Sequence, residues 1–464
     1  MSRVTAVDGA RLLRRLLNRK ATAVPSAPAL DSTLAMVREG YPFIWNRCRR
    51  FKSDIFTTRI LGKPAVCIHG PEAAQLFYDE TKLRRNMAVP RRVVTSLFGK
   101  KAVHTLDDEA HRRRKAAFMS LMTDASIERL IALMAEQWQL AIRRWESQPT
   151  VVLFDESQRI LTAAVCAWAG VPLELDDLAL RARQLGDMVD AFGGVGPRLW
   201  RGKLARMAAE RWIMEHVQAV RRGDLPSEPN TALDVFDRFR DERGRPLDAK
   251  TVAVEVLNVI RPTSAIAWYI TDAAVALERY PETRAKLVTD DDEGTYAKLF
   301  MQEVRRFFPF TPYLGAMVRA PFEWQGHKFK VGTLVLLDVY GASQDARLWP
   351  EPNAFIPERF ATHVSSAFDF IPQGGGSPSS GHRCAGERIT MLAMMLALRC
   401  LTRDMTYQLV PGQRLDLDLT RMPTRPHSGV LIQHVRATPE IALEPARASQ
   451  SAYRDFPNAS NARP

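Results

Sequence analysis

Cysteine is scarce in this chain of 464 residues. There are five (Cys48, Cys67, Cys166, Cys384 and Cys400), far apart and with no CxxC pair. So sparse and odd a set argues against a disulfide scaffold or a zinc-finger spacing and for a reducing, cytoplasmic setting. Also missing is any run of about 18 apolar residues, which argues against an integral membrane protein. No repeat, low-complexity linker or sharp composition shift divides the chain. A prior of about 150 residues per domain allows roughly three domains, yet nothing marks a boundary between them. Acidic residues are outnumbered, 52 against 65 basic, leaving a net charge of +13. The basic clusters, Arg3 to Lys20 and Arg84 to Lys115, lack the interleaved aromatics that stack bases, so no nucleic-acid partner is expected.

What the chain has in quantity is helix. Apolar residues at helical spacing cover about 127–146, 157–168, 203–221, 249–278, 294–308 and 386–402. β-rich stretches are short: 65–68, and a cluster over 322–338 that reads as a hairpin turning at Gln325-Gly326 followed by a strand. The expectation is a mostly α protein with a small β-sheet, one catalytic unit over 29–440. Residues 1–28 form a basic extension in which Leu12, Leu13, Leu16 and Leu17 share a face opposite arginines. It reads either as a poorly ordered appendage or as a helix able to touch a membrane surface. Residues 441–464, rich in Ala, Ser, Asn and Pro, read as a disordered tail.

The most informative stretch is FIPQGGGSPSSGHRCAGE, residues 370–387. A glycine-rich loop delivers Cys384 to the start of an apolar helix. The helix N-terminus and the neighbouring His382 and Arg383 favour thiolate, and glycines let backbone approach a flat ligand. This loop resembles the cysteine-ligand loop of the cytochrome P-450 family, lengthened by SPSSG before His382. Glu303-Val304-Arg305-Arg306 resembles the family's ExxR motif, and 355–360 (FIPERF) its downstream segment, where Arg359 can complete an ion network. The resemblance implies that fold, with haem b buried between the central helix and the cysteine loop and Cys384 as axial metal ligand. It further implies His382, His111, Arg114 and Lys115 as contacts to the haem propionates.

The central helix departs from the family pattern. Residues 252–277 are apolar nearly all round, hence buried. Where most of the family carries an acid or amide followed by threonine, this chain has Arg261-Pro262-Thr263-Ser264. Arg261 has no acid within a helical turn, so its partner is either another helix or a ligand carboxylate. Pro262 cannot donate to the carbonyl of Asn258, so the helix should kink there. Arg-Pro, the lengthened loop, EVRRFFPFTPYLGA and DMVDAFGGVGPRLWRGK together resemble the fatty-acid peroxygenase branch. That resemblance implies a long-chain fatty acid and H2O2 as substrates and no redox partner. Arg261 and Pro262 would be catalytic, with the substrate carboxylate on Arg261 as general acid/base and the α carbon (some β) hydroxylated. Phe310 and Asn86 would line the substrate; an amide at 86 suggests hydroxylation. The alternatives are decarboxylation to terminal alkenes, a reductase-dependent O2 monooxygenase, and a non-catalytic haem sensor or carrier.

Overall fold

Helical periodicity organises most of the chain. The longer helices are α1 (Asp108–Ser120), α2 (Asp124–Trp145), α3 (Leu153–Ala169), α4 (Leu175–Asp190) and α5 (Pro197–Arg222). They continue with α6 (Ala249–Ser264), α7 (Ile266–Arg279), α8 (Thr295–Phe307) and α9 (Glu387–Arg399). The computed structural model describes residues 24–290, 294–364 and 366–439, so the basic segment to residue 23 and the tail from 440 lie outside the described residues. Residues 24–28, assigned by sequence to the extension, belong to the fold. Ala27 N–H donates to Thr57 O and Thr57 N–H to Pro25 O, both at 2.9 Å, because an extended stretch can complete the open edge of a strand.

α2 shows how sequence makes these helices. Ile127, Leu130, Ile131, Met134 and Trp138 recur at three- and four-residue spacing and are buried, and Thr123 caps the first turn by accepting Ser126 N–H at 3.3 Å. α6 is capped in the same way, Asp248 accepting the Thr251 N–H at 2.8 Å. One apolar core joins α2, α3, α5, α6, α7 and α9.

The strands are β1 (Ile55–Ile60), β2 (Lys63–Ile68), β3 (Leu83–Arg84), β4 (Val151–Val152), β5 (Tyr313–Val318), β6 (Phe322–Trp324), β7 (His327–Phe329), β8 (Leu334–Asp338), β9 (Met405–Leu409) and β10 (Leu431–Ala437). The main sheet has the order β1-β2-β8-β5-β3. Within it β2 and β8 run parallel, Ala65 opposite Leu334, while the other pairs are antiparallel. A second sheet is β4-β10-β9. β6 and β7 form the expected hairpin, with Gln325 and Gly326 both at positive φ (47° and 74°), the backbone a two-residue turn requires. The small sheet expected from sequence is therefore there, beside a helical body.

The central helix does not run through. α6 ends at Ser264 and α7 begins at Ile266, the break falling at Ala265, three residues past Pro262.

Candidate active site

The loop before α9 is built from glycines and one glutamine. Gly374 and Gly376 hold φ of +94° and +77°, conformations that side chains resist. A Cβ on Gly374 would also stand 2.8 Å from the Tyr78 hydroxyl. Gln373 O accepts the Cys384 N–H at 3.0 Å. The Gln373 amide donates to Thr390 Oγ1 at 3.0 Å and lies 3.7 Å from Cys384 Sγ. The sulfur is thus fixed from its own loop.

Arg305 ties this loop to α8. Its guanidinium donates to Gln373 Oε1 at 2.9 Å and to Glu387 Oε1 at 2.5 Å. One residue on, Arg306 grips Glu303 with two bonds of 2.7 and 2.6 Å, both side chains fully buried. Arg359 Nε stands 3.3 Å from Glu303, giving the three-member network the sequence suggested. Arg383 donates to Glu387 at 2.7 Å. Burial, then the Glu387 charge, pushes the Cys384 thiol up, opposite to the sequence expectation for the bare chain; a metal ion would reverse it.

Beside the cysteine lies a knot of cationic and imidazole groups. The rings of His111 and His382 stack at 3.8 Å, 22° from parallel. Burial first, then Lys115, lowers His111 to about 4; burial and Arg85 push His382 down too. Lys115 donates to the Arg383 carbonyl at 2.6 Å and is lowered by burial to about 8. It pairs with no carboxylate among the described residues. A cavity of about 290 Å³ opens beside His382, lined also by Tyr78, Arg84, Arg85 and Asp107. Arg114 forms a buried pair with Glu255, and its guanidinium stands 4.8 Å from the centre of the Phe239 ring.

The opposite wall is the α6–α7 junction. Every residue over 251–277 is buried except Pro262. Arg261 is 4% exposed. Its Nη1 donates to Leu97 O at 2.5 Å, and the guanidinium stands 5.5 Å from the Phe98 ring centre. No acidic side chain pairs with it among the described residues. Burial, then the like charge of Arg206, pushes its pKa down to about 9, so it stays charged at neutral pH. Arg206 donates to the same Leu97 carbonyl at 2.9 Å. Phe98 stacks on His104 at 4.4 Å. The His104 imidazole, pushed down mainly by burial, also feels the charges of Arg261, Lys115 and His111.

Two expected lining residues lie to the sides. Phe310 packs against Tyr269 and Trp268 of α7 at 5.6 and 6.2 Å. Asn86 is exposed, its N–H held by Asp107 Oδ2 at 3.0 Å.

The residues fit a flat cofactor bearing carboxylates. Cys384 offers a soft ligand. At Gly386 no atom lies within 4 Å of where a Cβ would stand. Lys115 pairs with no carboxylate among the described residues, and the ring nitrogens of His111 and His382 lie within 4.8 Å of each other and of the Glu80 carboxylate. Such a fold and site define a haem-thiolate oxidoreductase. Residues 288–432 match the family model Cytochrome P-450. Among solved structures, cytochrome P-450EX alpha with myristic acid is 39% identical, with a TM-score of 0.85, covering 90% of this chain and 100% of that one. Cytochrome P-450SP alpha in complex with (R)-ibuprofen is 40% identical at 0.85, covering 88% and 99%. A variant of cytochrome P-450 OleT in complex with arachidonic acid is 36% identical at 0.86, covering 90% and 99%. The chain belongs to the cytochrome P-450 family, and its cofactor is haem with a cysteine thiolate ligand.

Proposed function

We propose that the chain is a fatty-acid peroxygenase, using H2O2 to hydroxylate long-chain fatty acids at the α carbon and to a lesser extent at the β carbon. The observation that carries this reading is Arg261, a buried guanidinium whose one hydrogen bond among the described residues goes to a backbone carbonyl. An isolated buried charge costs several kcal/mol, and a ligand carboxylate would offset that penalty bidentately. The carboxylic acids bound in the similar structures, myristic and arachidonic acid, support the substrate class.

Cys384 would ligate the haem, with His382, His111 and Lys115 on its propionates. The bound haem supplies the cleavage of the peroxide O–O bond and the oxidising power for hydroxylation. The chain's own residues do the rest. Arg261 anchors the fatty-acid head group, which sets the α and β carbons nearest the reacting centre. Pro262 presents an apolar ring instead of an N–H or hydroxyl, and the two hydroxyls that follow are engaged by the protein, Thr263 Oγ1 donating to Val259 O at 3.0 Å and Ser264 Oγ lying 3.2 Å from Thr162 Oγ1. The carboxylate held on Arg261 accepts a peroxide proton and returns it to the far oxygen, serving as general acid/base. Phe310 and Asn86 flank the chain of the substrate.

The test uses haem-loaded protein, H2O2 and palmitate with no reductase. The expected products are mainly 2-hydroxy acids, and Arg261→Ala is expected to lose about a hundredfold or more in activity, as when one partner of a buried charge pair is removed. Turnover that requires NAD(P)H and electron carriers, or full activity of Arg261→Ala, would overturn the reading. Terminal alkenes as the main product would instead place the chain with decarboxylases.

A further inference from the structure

Four buried polar atoms near the α6–α7 junction have no hydrogen-bond partner among the described residues: Trp268 Nε1, Tyr269 Oη, Asp272 Oδ1 and Thr424 Oγ1. Each of these residues is less than 5% exposed. Trp268 and Asp272 stand at i and i+4 on α7, hence on one face, with Tyr269 beside them. The four gather round Phe310 and Tyr41. Phe310 packs against Tyr269 and Trp268 at 5.6 and 6.2 Å. The Tyr41 hydroxyl donates to the Phe310 carbonyl at 2.7 Å and accepts the Thr424 N–H at 3.2 Å. Burial pushes the Tyr41 phenol up, the Thr424 N–H opposes this, and the charges of Tyr269 and Asp272 add to it, so both lie within electrostatic reach of its hydroxyl.

Buried polar atoms are nearly always satisfied. Where the chain offers no partner and several polar groups converge, internal water supplies one. Burial holds the Asp272 carboxyl well above the usual carboxylate range, against the charge of Arg279, so it is a neutral acid that both donates and accepts. The cluster has an inner and an outer side. On the inner side the Tyr269 phenol, pushed up by burial, feels Arg305, Asp272, Glu387 and Cys384. On the outer side a cleft of about 300 Å³ is lined by Arg279, Phe308, Pro309, Tyr340 and Leu419. Tyr41, 1% exposed, adjoins that cleft: its ring is 5.9 Å from Tyr340, and its N–H donates to Leu419 O at 3.0 Å. Tyr41 thus stands between the cleft and the unpaired polar atoms.

A long-chain acid anchored on Arg261 fills the apolar approach to the reaction centre, and peroxide must still arrive after it. We propose that the Tyr269–Asp272–Thr424 cluster holds water in the resting protein and passes H2O2 from the cleft, past Tyr41, towards the haem while a fatty acid occupies its own channel. H2O2 donates and accepts hydrogen bonds as water does, so each unpaired atom serves either molecule. The proposal rests on the peroxygenase reading.

Haem-loaded full-length protein is mixed by stopped flow with cyanide, a small ligand of haem iron, with and without saturating palmitate. Asp272→Leu with Thr424→Val keeps the volume and removes two of the unpaired polar atoms. With palmitate bound, cyanide binding to this variant is expected to be about tenfold slower than to the parent, the effect of one lost hydrogen-bonding partner on the way in. Without palmitate the two rates should agree, because the other channel is open. In turnover the KM for H2O2 should rise by a similar factor with kcat unchanged, and the palmitate affinity read from the haem spectrum should stay the same. Trp138→Phe, which removes an unpaired buried N–H from α2, should alter none of these. The melting temperature checks that each variant is folded; a purely structural role would move it and leave the cyanide rate and the KM for H2O2 as they were. Equal cyanide rates in palmitate-loaded parent and variant, or a slowing independent of palmitate, would overturn the proposal and leave the peroxygenase reading standing. A parent whose haem spectrum does not respond to palmitate would overturn that reading and the proposal with it.

Discussion

Arg261 holds its charge in an apolar interior against a single backbone carbonyl, which makes its removal an experiment with two signs. A residue kept for structure destabilises when replaced. A buried cation waiting for a ligand does the reverse, because replacing it with an apolar side chain of similar length removes a desolvation penalty. Arg261→Met should therefore raise stability by about 1–3 kcal/mol while abolishing fatty-acid-dependent peroxide consumption. Palmitate should raise the melting temperature of the parent, since a ligand that binds only the folded state stabilises it, and leave that of Arg261→Met unmoved. A destabilised variant that still responds to palmitate would remove the head-group role. Arg261 and Cys384 were legible in the sequence because each breaks its surroundings, one a cation in an apolar run, the other a cysteine after four glycines and a histidine. The Leu97 carbonyl, Arg206 and Arg305 were not. They act through backbone atoms or across 68 to 164 residues of chain, and no local pattern records that. The partner of Arg114, Glu255, escaped notice for the same reason, lying 141 residues away.

At the scale of the element, the α6–α7 junction carries the most consequence. A proline inside a helix removes a hydrogen bond and crowds the carbonyl four residues back, and here the helix is interrupted at Ala265. Pro262→Ala restores the missing donor to the Asn258 carbonyl. It should stabilise the chain by about 1–3 kcal/mol, measured by denaturant unfolding. It should also straighten the turn that aims Arg261 and raise the KM for palmitate more than it lowers kcat. Unchanged kinetics in the stabilised variant would show that the break does not position the guanidinium. Elements with a strong apolar stripe were legible: α2, α3, α8 and α9 fall within a few residues of their expected bounds, and so does the hairpin at Gln325-Gly326. α1 was missed because its sequence, DEAHRRRKAAFMS, buries His111, Arg114 and Lys115 along with Phe118. A helix whose inward face is basic offers no hydrophobic period to read. α4 was missed for a milder version of the same reason, its stripe diluted by arginines and aspartates.

Across the whole molecule, His69 fastens distant parts of the chain. It is buried at the end of β2 between Asp338 and Asp345, with ring nitrogens 3.1 Å from each carboxylate. Arg347 extends the network from Asp345 to Asp54. Trp45 lies 5.0 Å from the imidazole. Burial alone would lower the imidazolium, but hydrogen bonds to the two aspartates overcome it and lift His69 to about 9. The folded value thus stands above the unfolded value of about 6.5. The stabilisation is fully present below about pH 6.5 and is lost as pH rises through about 9, and its size is at most about 3 kcal/mol. The melting temperature of the parent should therefore fall between pH 6.5 and 9.5. His69→Gln, which cannot be protonated, should melt lower than the parent at pH 6.5, and the difference should shrink steadily towards pH 9.5. A difference that stays constant across that range would mean that His69 contributes packing against Trp45 and no charge, leaving Asp345 to be held by Arg347 alone.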